Sequence, residues 1–355
     1  ADDNRVHYPR ALALLGSGLI TTGLVTWQAA RPLLAESITA WRAMHEPEKL
    51  SEAYSFLLFV MLGSGEAEAI CTLCAQQEAV LRATTAPYTL AHILIFWGRA
   101  LFLARQDFAA AQRLYEEALQ LGQQTQDPLV LAKTYQYLGH MTLQQGDYAA
   151  AQHHYLEALA WRRQGGVPLL VGSALYNAAD LLALQGDKVA AHALYQEAVA
   201  LLRPLGMRYS FAYLLGRVGA LAVALGDDQE ASAAFAECVT VYRTRGLQAG
   251  VDQIVLCAAE RLGQQGQAAL AVRLLAVKTL QHTYMLNDIL YQRALAAARL
   301  QLSPTAFTAA WAAGQATTLD AALALALPAI LPAQRPRGDH PAWTCSDTDA
   351  AVVRQ

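Results

Sequence analysis

The chain repeats itself every 40 residues. Ala111, Ala151, Ala191, Ala231 and Ala271 are evenly spaced, and four residues after each stand Tyr115, Tyr155, Tyr195, Phe235 and Leu275. Two positions further come Glu117, Glu157, Glu197 and Glu237, until Val277 breaks the series. Five residues before each alanine stand Gln106, Gly146, Gly186, Gly226 and Gly266. A fixed period of roughly 20–50 residues is the signature of a solenoid, because a unit that small buries its apolar face only against its neighbours. Chains built this way bind partners along an extended concave surface. They are expected to be binding proteins, not enzymes.

Each unit reads as two helices. Asp127-Pro128 places a capping side chain before a proline at the first helical position, and Val167-Pro168 repeats the proline one period later. The first helix is expected to end at Gly146-Asp147, where glycine supplies a left-handed cap. The second is expected from Tyr148 to about Arg163, closed by Gly165-Gly166. Gly139, Ala179, Gly219 and Ala259 lie on first helices, and the Ala111–Ala271 series on second helices, so that small side chains let the two backbones approach. Arg99 breaks the small-residue rule in its unit, which is expected to pack differently. The expected fold is all-α: a right-handed superhelix of about seven helical hairpins with a terminal helical segment, in one continuous domain.

A small residue, a Gly-Asp turn, alanine, Tyr or Phe, and alanine again make a recurring signature. In Leu138–Leu159, LGHMTLQQGDYAAAQHHYLEAL, it resembles the tetratricopeptide (TPR) repeat. The 40-residue form is similar to the TPR-like sensor region of large bacterial signal-transduction ATPases and their LuxR-, MalT- or SARP-type regulators. Ala29–Arg42 shares that character, and so do Phe307, Trp311, Gly314 and Thr318-Leu319-Asp320 at the close of the region. The resemblance covers residues 8–327, clearest in 88–285, degenerate in 8–86, with a terminal helical segment over 286–327. Residues 332–355, punctuated by Pro332, Pro336 and Pro341, are expected to be a disordered tail or a linker. The chain has no GxxxxGK[ST] phosphate loop and its tail has no recognisable helix-turn-helix. Ala1 is not Met, so the chain is expected to be a fragment or processed product.

Composition sets the outer limits. Apolar residues make up 55% and charged residues 15%, and the dominant Ala and Leu are good helix formers. A net charge of −3 offers no basic face for nucleic acid and no basic stripe for an anionic membrane. Five cysteines make no disulfide framework, and a cytoplasmic location is expected. Twenty uncharged residues between Arg10 and Arg31 have the length of a membrane span, but they align with the repeat at Gly18, Trp27 and Glu36 and are read as solenoid. Cys71-Thr72-Leu73-Cys74 is read as core packing, since no second ligand pair follows for zinc. His153-His154 are read as outward-facing, because adjacent helical side chains diverge by about 100°. No cofactor, metal site or catalytic residue is expected.

Alignment to the small anchors places one polar stripe on the first helices. It offers Lys133, Gln136 and His140 in one unit. The next unit offers Ser173, Tyr176, Asn177 and Asp180, and the third Tyr213 and Arg217. The resemblance implies that this stripe lines the concave groove, with Asn177 holding a ligand's backbone amide and Arg217 a carboxylate. Gln136 and Tyr213 stand where the carboxylate clamp of chaperone cofactors has lysines. Alternatively, Arg217 pairs with Asp180 on the neighbouring helix. Phe96, Trp97, Tyr137, Tyr176 and Tyr213 would supply apolar contact or serve as core. The function expected is protein, peptide or small-effector sensing in the groove of a bacterial signalling or transcriptional regulator. A stand-alone scaffold joining protein partners is the alternative.

Overall fold

A computed structural model describes residues 27–84, 86–205, 209–245, 249–277 and 285–331. The expected start at residue 8, the apolar run before Trp27 and the proline-rich end beyond 331 lie outside these residues. Sixteen α-helices and no strand occur among the described residues. In chain order they are α1 (Trp27–Ala43), α2 (Pro47–Gly63), α3 (Ala67–Thr84), α4 (Pro87–Arg105), α5 (Phe108–Thr125), α6 (Pro128–Gln144), α7 (Tyr148–Gly165) and α8 (Pro168–Gln185). They continue with α9 (Lys188–Leu202), α10 (Tyr209–Leu225), α11 (Asp228–Arg245), α12 (Ala249–Gln264), α13 (Ala268–Leu275), α14 (Met285–Leu300), α15 (Pro304–Gln315) and α16 (Leu319–Ile330). From α2 to α13 they pair as six successive hairpins, an α-solenoid.

Local chemistry explains the hairpins. Gly146, Gly186, Gly226 and Gly266 take φ between 77° and 89° at the turn, a left-handed conformation that glycine adopts without a Cβ penalty. The aspartate after three of them caps the second helix: Asp147, Asp187 and Asp227 accept from the backbone N–H groups of Ala150, Ala190 and Glu230. Asp107 does the same for Ala110. The alanines at the 40-residue positions are all fully buried. A methyl group at Gly139 or Gly219 would overlap the ring of Tyr155 or Phe235, so close approach there requires glycine.

The unit that breaks the rule is displaced by one residue. In α4 the ring of Tyr115 packs on Gly98, not on residue 99. Gln106 takes the left-handed turn at φ 50°. The slip frees Arg99 from the packing seam and turns it toward the first-helix face, with its guanidinium 5.0 Å from the Phe102 ring and 5.5 Å from that of Tyr137.

The repeated glutamates stitch second helices together. Arg163 reaches Glu197 at 2.7 Å and, one period on, Arg203 reaches Glu237 at 2.7 Å; Arg82 pairs with Glu117. Val277 stands where the next glutamate of this ladder would be. The core runs in line rather than forming one ball: one apolar cluster spans Leu58 to Met141 and another Leu159 to Ile330. Cys71 and Cys74 are buried in the first, as expected for packing residues, and burial pushes the Cys74 thiol up to about 12. His153 is exposed. Among the described residues α4 is the one unbroken helix long and apolar enough to cross a membrane, and 67% of its apolar window is buried inside the protein.

The end of the solenoid is closed by three helices. Gly314 of α15 is buried against the backbone of Arg273, where a Cβ would collide. Thr318 caps α16 through Ala321 N–H, and Leu319, Leu323 and Ile330 of α16 join the core. Helix α14 turns back along the stack. Its Ile289 packs into the cluster of Leu143, Tyr155 and Leu181, and Arg293 donates to the Tyr148 hydroxyl at 3.4 Å.

Candidate functional site

The first helices α4, α6, α8, α10 and α12 stand side by side and carry the polar stripe. The structure divides that stripe into two sets.

The first set is closed. Asp180 on α8 is 7% exposed and Arg217 on α10 is 6% exposed. Arg217 Nε lies 3.5 Å from Asp180 Oδ1 and donates to the Tyr195 hydroxyl at 3.1 Å. Tyr195 donates to Asp180 Oδ1. Tyr213 donates to Asp180 Oδ2 at 2.7 Å, and Arg217 Nη1 donates to Gln253 Oε1 at 3.2 Å. Burial raises the Asp180 carboxyl, and Arg217 with the two tyrosine hydroxyls pulls it back. Burial likewise works against the Arg217 charge, but Tyr195, Tyr213 and Asp180 outweigh it and hold the guanidinium protonated. A buried pair survives when its remaining hydrogen-bonding capacity is satisfied, and here two tyrosines and a glutamine from three helices satisfy it. Arg217 therefore has the Asp180 partner that the alternative reading of the sequence expects. Its outer side borders a cavity of about 240 Å³ between α8, α10, α12 and α14, shared with Gln253, Glu260 and Arg293.

The second set has no carboxylate partner among the described residues. It lies on α4, α6, α7 and the start of the α8 stripe. Lys133 is half-buried, with its ammonium 4.9 Å above the Phe96 ring. Gln136 accepts from Arg162 Nη2 at 3.4 Å. Arg162, from second helix α7, is 5% exposed, and its Nε has no partner. His140 packs edge-on to Tyr155 at 5.8 Å beside Asn177. The Asn177 side chain is 8% exposed and its Nδ2 has no acceptor. Trp97 Nε1 and Arg99 Nη1 are likewise buried without an acceptor. Tyr176 meets Tyr213 edge-on at 5.4 Å and joins the two sets. Ser173 spends its hydroxyl on Leu170 O of its own helix at 2.7 Å.

The electrostatics of the second set follow from crowded cations. Burial, then the charge of Arg162, pushes the Lys133 ammonium down to about 8. Burial, then Lys133 and Arg162, pushes His92 down to about 3. Burial, then Arg99, pushes His140 down to about 3. Both imidazoles are therefore neutral near pH 7. Arg162, His92 and Arg99 are residues that reading the sequence did not select. Arg162 sits on a second helix, His92 lies outside the aligned stripe, and Arg99 enters the groove only through the slip in α4. The available signal was the break at Arg99 itself. Among the described residues no group of three His, Cys, Asp or Glu side chains could hold a metal ion.

Comparison with known proteins agrees with the repeat geometry. Residues 130–203 match the tetratricopeptide repeat family. No curated protein matches the chain. Among solved structures the chain is similar to BtubC (BKLC) from P. vanneervenii, at 19% identity and TM-score 0.50, over 62% of this chain and 93% of that one. PilF of Pseudomonas aeruginosa aligns at 20% identity and TM-score 0.42, over 68% of this chain and 94% of that one. Residues 130–203 thus match tetratricopeptide repeats within a longer α-solenoid.

Proposed function

We propose that the chain is a protein-interaction module whose first-helix face binds a protein or peptide partner. The ligand side chains would be Lys133, Gln136, His140, Tyr176 and Asn177, with Arg99 and Arg162 beside them. The observation that carries this reading is the set of buried, unpartnered donors on that face: Arg99 Nη1, Arg162 Nε and Asn177 Nδ2. A buried donor left without an acceptor costs about 1–3 kcal/mol. Three on one face form a surface that gains by accepting a ligand. Ser173, Asp180, Tyr213 and Arg217 line the continuation of the face, where the last three brace the wall. The 40-residue repeat form and the closing segment at Phe307, Trp311 and Thr318-Leu319-Asp320 support a role as the sensing part of a bacterial signalling or transcriptional regulator, in the cytoplasm. Binding would then alter superhelical pitch or partner contact.

Site-specific photo-crosslinking tests this. A photoreactive side chain at Gln136 or His140 is expected to capture a discrete partner in the host cell. The same group at the exposed second-helix positions Gln112 or Gln152 is expected to capture none. Adducts from the second-helix positions alone would overturn the reading.

A further inference from the structure

Three arginines of the second-helix series lie within hydrogen-bond reach of a glutamate: Arg82, Arg163 and Arg203 each pair with one. Arg162, adjacent to Arg163, points inward instead and meets no carboxylate. Lys133 and Arg99 form no ion pair among the described residues either. The acid whose charge acts on Lys133 is Asp127, and its Oδ1 is already committed to the N–H groups of Leu129 and Val130 at the start of α6. Among the described residues the one neutral acceptor that reaches Arg162 is Gln136. Lys133, above the Phe96 ring, thus feels the charge of Arg162, and neither cation has an ion-pair partner among the described residues. Taking charges out of water without a partner is among the most expensive arrangements in a fold. Replacing either with an apolar residue would remove the cost, so the arrangement has physical sense if a counter-charge arrives from outside.

We infer that Lys133, Arg162 and Gln136, between α4, α6 and α7, form an oxyanion-binding pocket, taking a carboxylate or phosphate group of a ligand. The Arg162 Nε, unpartnered and almost fully buried, supplies a directed donor. Lys133 supplies a mobile point charge, and the neutral His92 supplies a ring nitrogen that is itself unpartnered. Charge-assisted bonds of this kind are about twice as strong as neutral ones. The Phe96 ring lies under Lys133 and the Tyr137 ring under Arg99, and both would hold the apolar part of the ligand next to its charge. The inference rests on the proposed binding face for its location, and names the chemistry that the face accepts.

The test is calorimetric titration of the full chain at low ionic strength with three probes: inorganic phosphate, succinate and a tetraglutamate peptide. Sodium chloride at matched ionic strength serves as control. At least one probe is expected to bind and to raise the melting temperature beyond the salt control. Lys133→Met and Arg162→Met should each weaken that binding by about ten- to hundredfold, while melting no lower than the parent chain. Binding of the peptide in competition with the free anions identifies an acidic segment as the ligand. Binding of the free anions alone identifies a small effector. If no probe binds beyond the salt control, or if the two variants bind unchanged, the pocket is refuted. Crosslinking at Gln136 would then still stand or fall by itself. Conversely, anion binding without any crosslinked partner would remove the protein-binding reading and leave the pocket.

Discussion

The two halves of the first-helix face begin from the same kind of material, a buried cation among tyrosines, and end differently. At Arg217 an aspartate, two tyrosine hydroxyls and a glutamine close around the charge. At Arg162 and Lys133, one to two repeats earlier along the stack of hairpins, one glutamine is the only side-chain acceptor among the described residues that reaches a cation. The deciding residue is Asp180. Its counterpart one period earlier is His140, which burial and Arg99 keep neutral. One substitution between equivalent positions thus separates an internal brace from a site with no carboxylate partner among the described residues. In a solenoid this is cheap to arrange, because each repeat contacts only its neighbours and the two halves need not agree.

The comparison can be broken at Asp180. Removing it with Asp180→Ala strands Arg217 in the wall. Breaking a buried pair at one partner costs about 3–5 kcal/mol, so urea unfolding should show a loss of that order. A loss below about 1 kcal/mol would mean that water reaches Arg217 and that the brace is not a brace.

The opposite sign is expected at Lys133. Its ammonium releases a proton near pH 8 in the folded chain, against an ordinary value of 10.5. The unfolded chain therefore holds more protons between those values. The charge costs stability in full below pH 8, and the cost disappears as the pH rises from 8 toward 10.5. Lys133→Met should stabilise the chain by about 1–3 kcal/mol at pH 7, with the advantage shrinking by pH 10. Melting temperatures of both proteins across that range check the sign. An advantage that grows with pH would contradict it.

Two smaller effects sharpen the contrast by showing what ordinary repeat contacts are worth. Asp147→Ala removes the cap on α7 and should cost about 1 kcal/mol, measurable by the same unfolding midpoint. Arg203→Ala removes one exposed rung of the glutamate ladder. It should cost about 0.2–1 kcal/mol, and the loss should fade in high salt.

Much of the fold is legible because its causes are local. The turn glycines, the aspartates that follow them and the buried alanines recur at a fixed spacing, and each acts within one hairpin. The candidate site is legible only in part. Lys133, Gln136, His140 and Asn177 follow from counting along α6 and α8 from a small anchor. Arg162 does not, since Arg162 and Arg163 are the same residue type side by side and differ only by the rotation of α7. The break at Arg99 announces that its unit packs differently, but not that the slip onto Gly98 turns Arg99 toward the first-helix face. The return of α14 to Tyr148 joins residues 145 positions apart, and no periodicity reports a contact of that span. Whether Arg217 faces a ligand or Asp180 is likewise undecided along one helix. The contacts of Arg217 with Asp180, Tyr195 and Gln253 depend on side chains that α8, α9 and α12 bring in.

The two halves are compared most directly by the same substitution in each. Arg217→Met and Arg162→Met remove one buried guanidinium apiece and replace it with a side chain suited to an apolar site. Urea unfolding of both, at pH 7 and without ligand, measures the difference. The account predicts that Arg217→Met loses about 3–5 kcal/mol, because Asp180 is left buried and unpaired, whereas Arg162→Met is neutral or more stable than the parent chain. Equal losses at the two positions would contradict it.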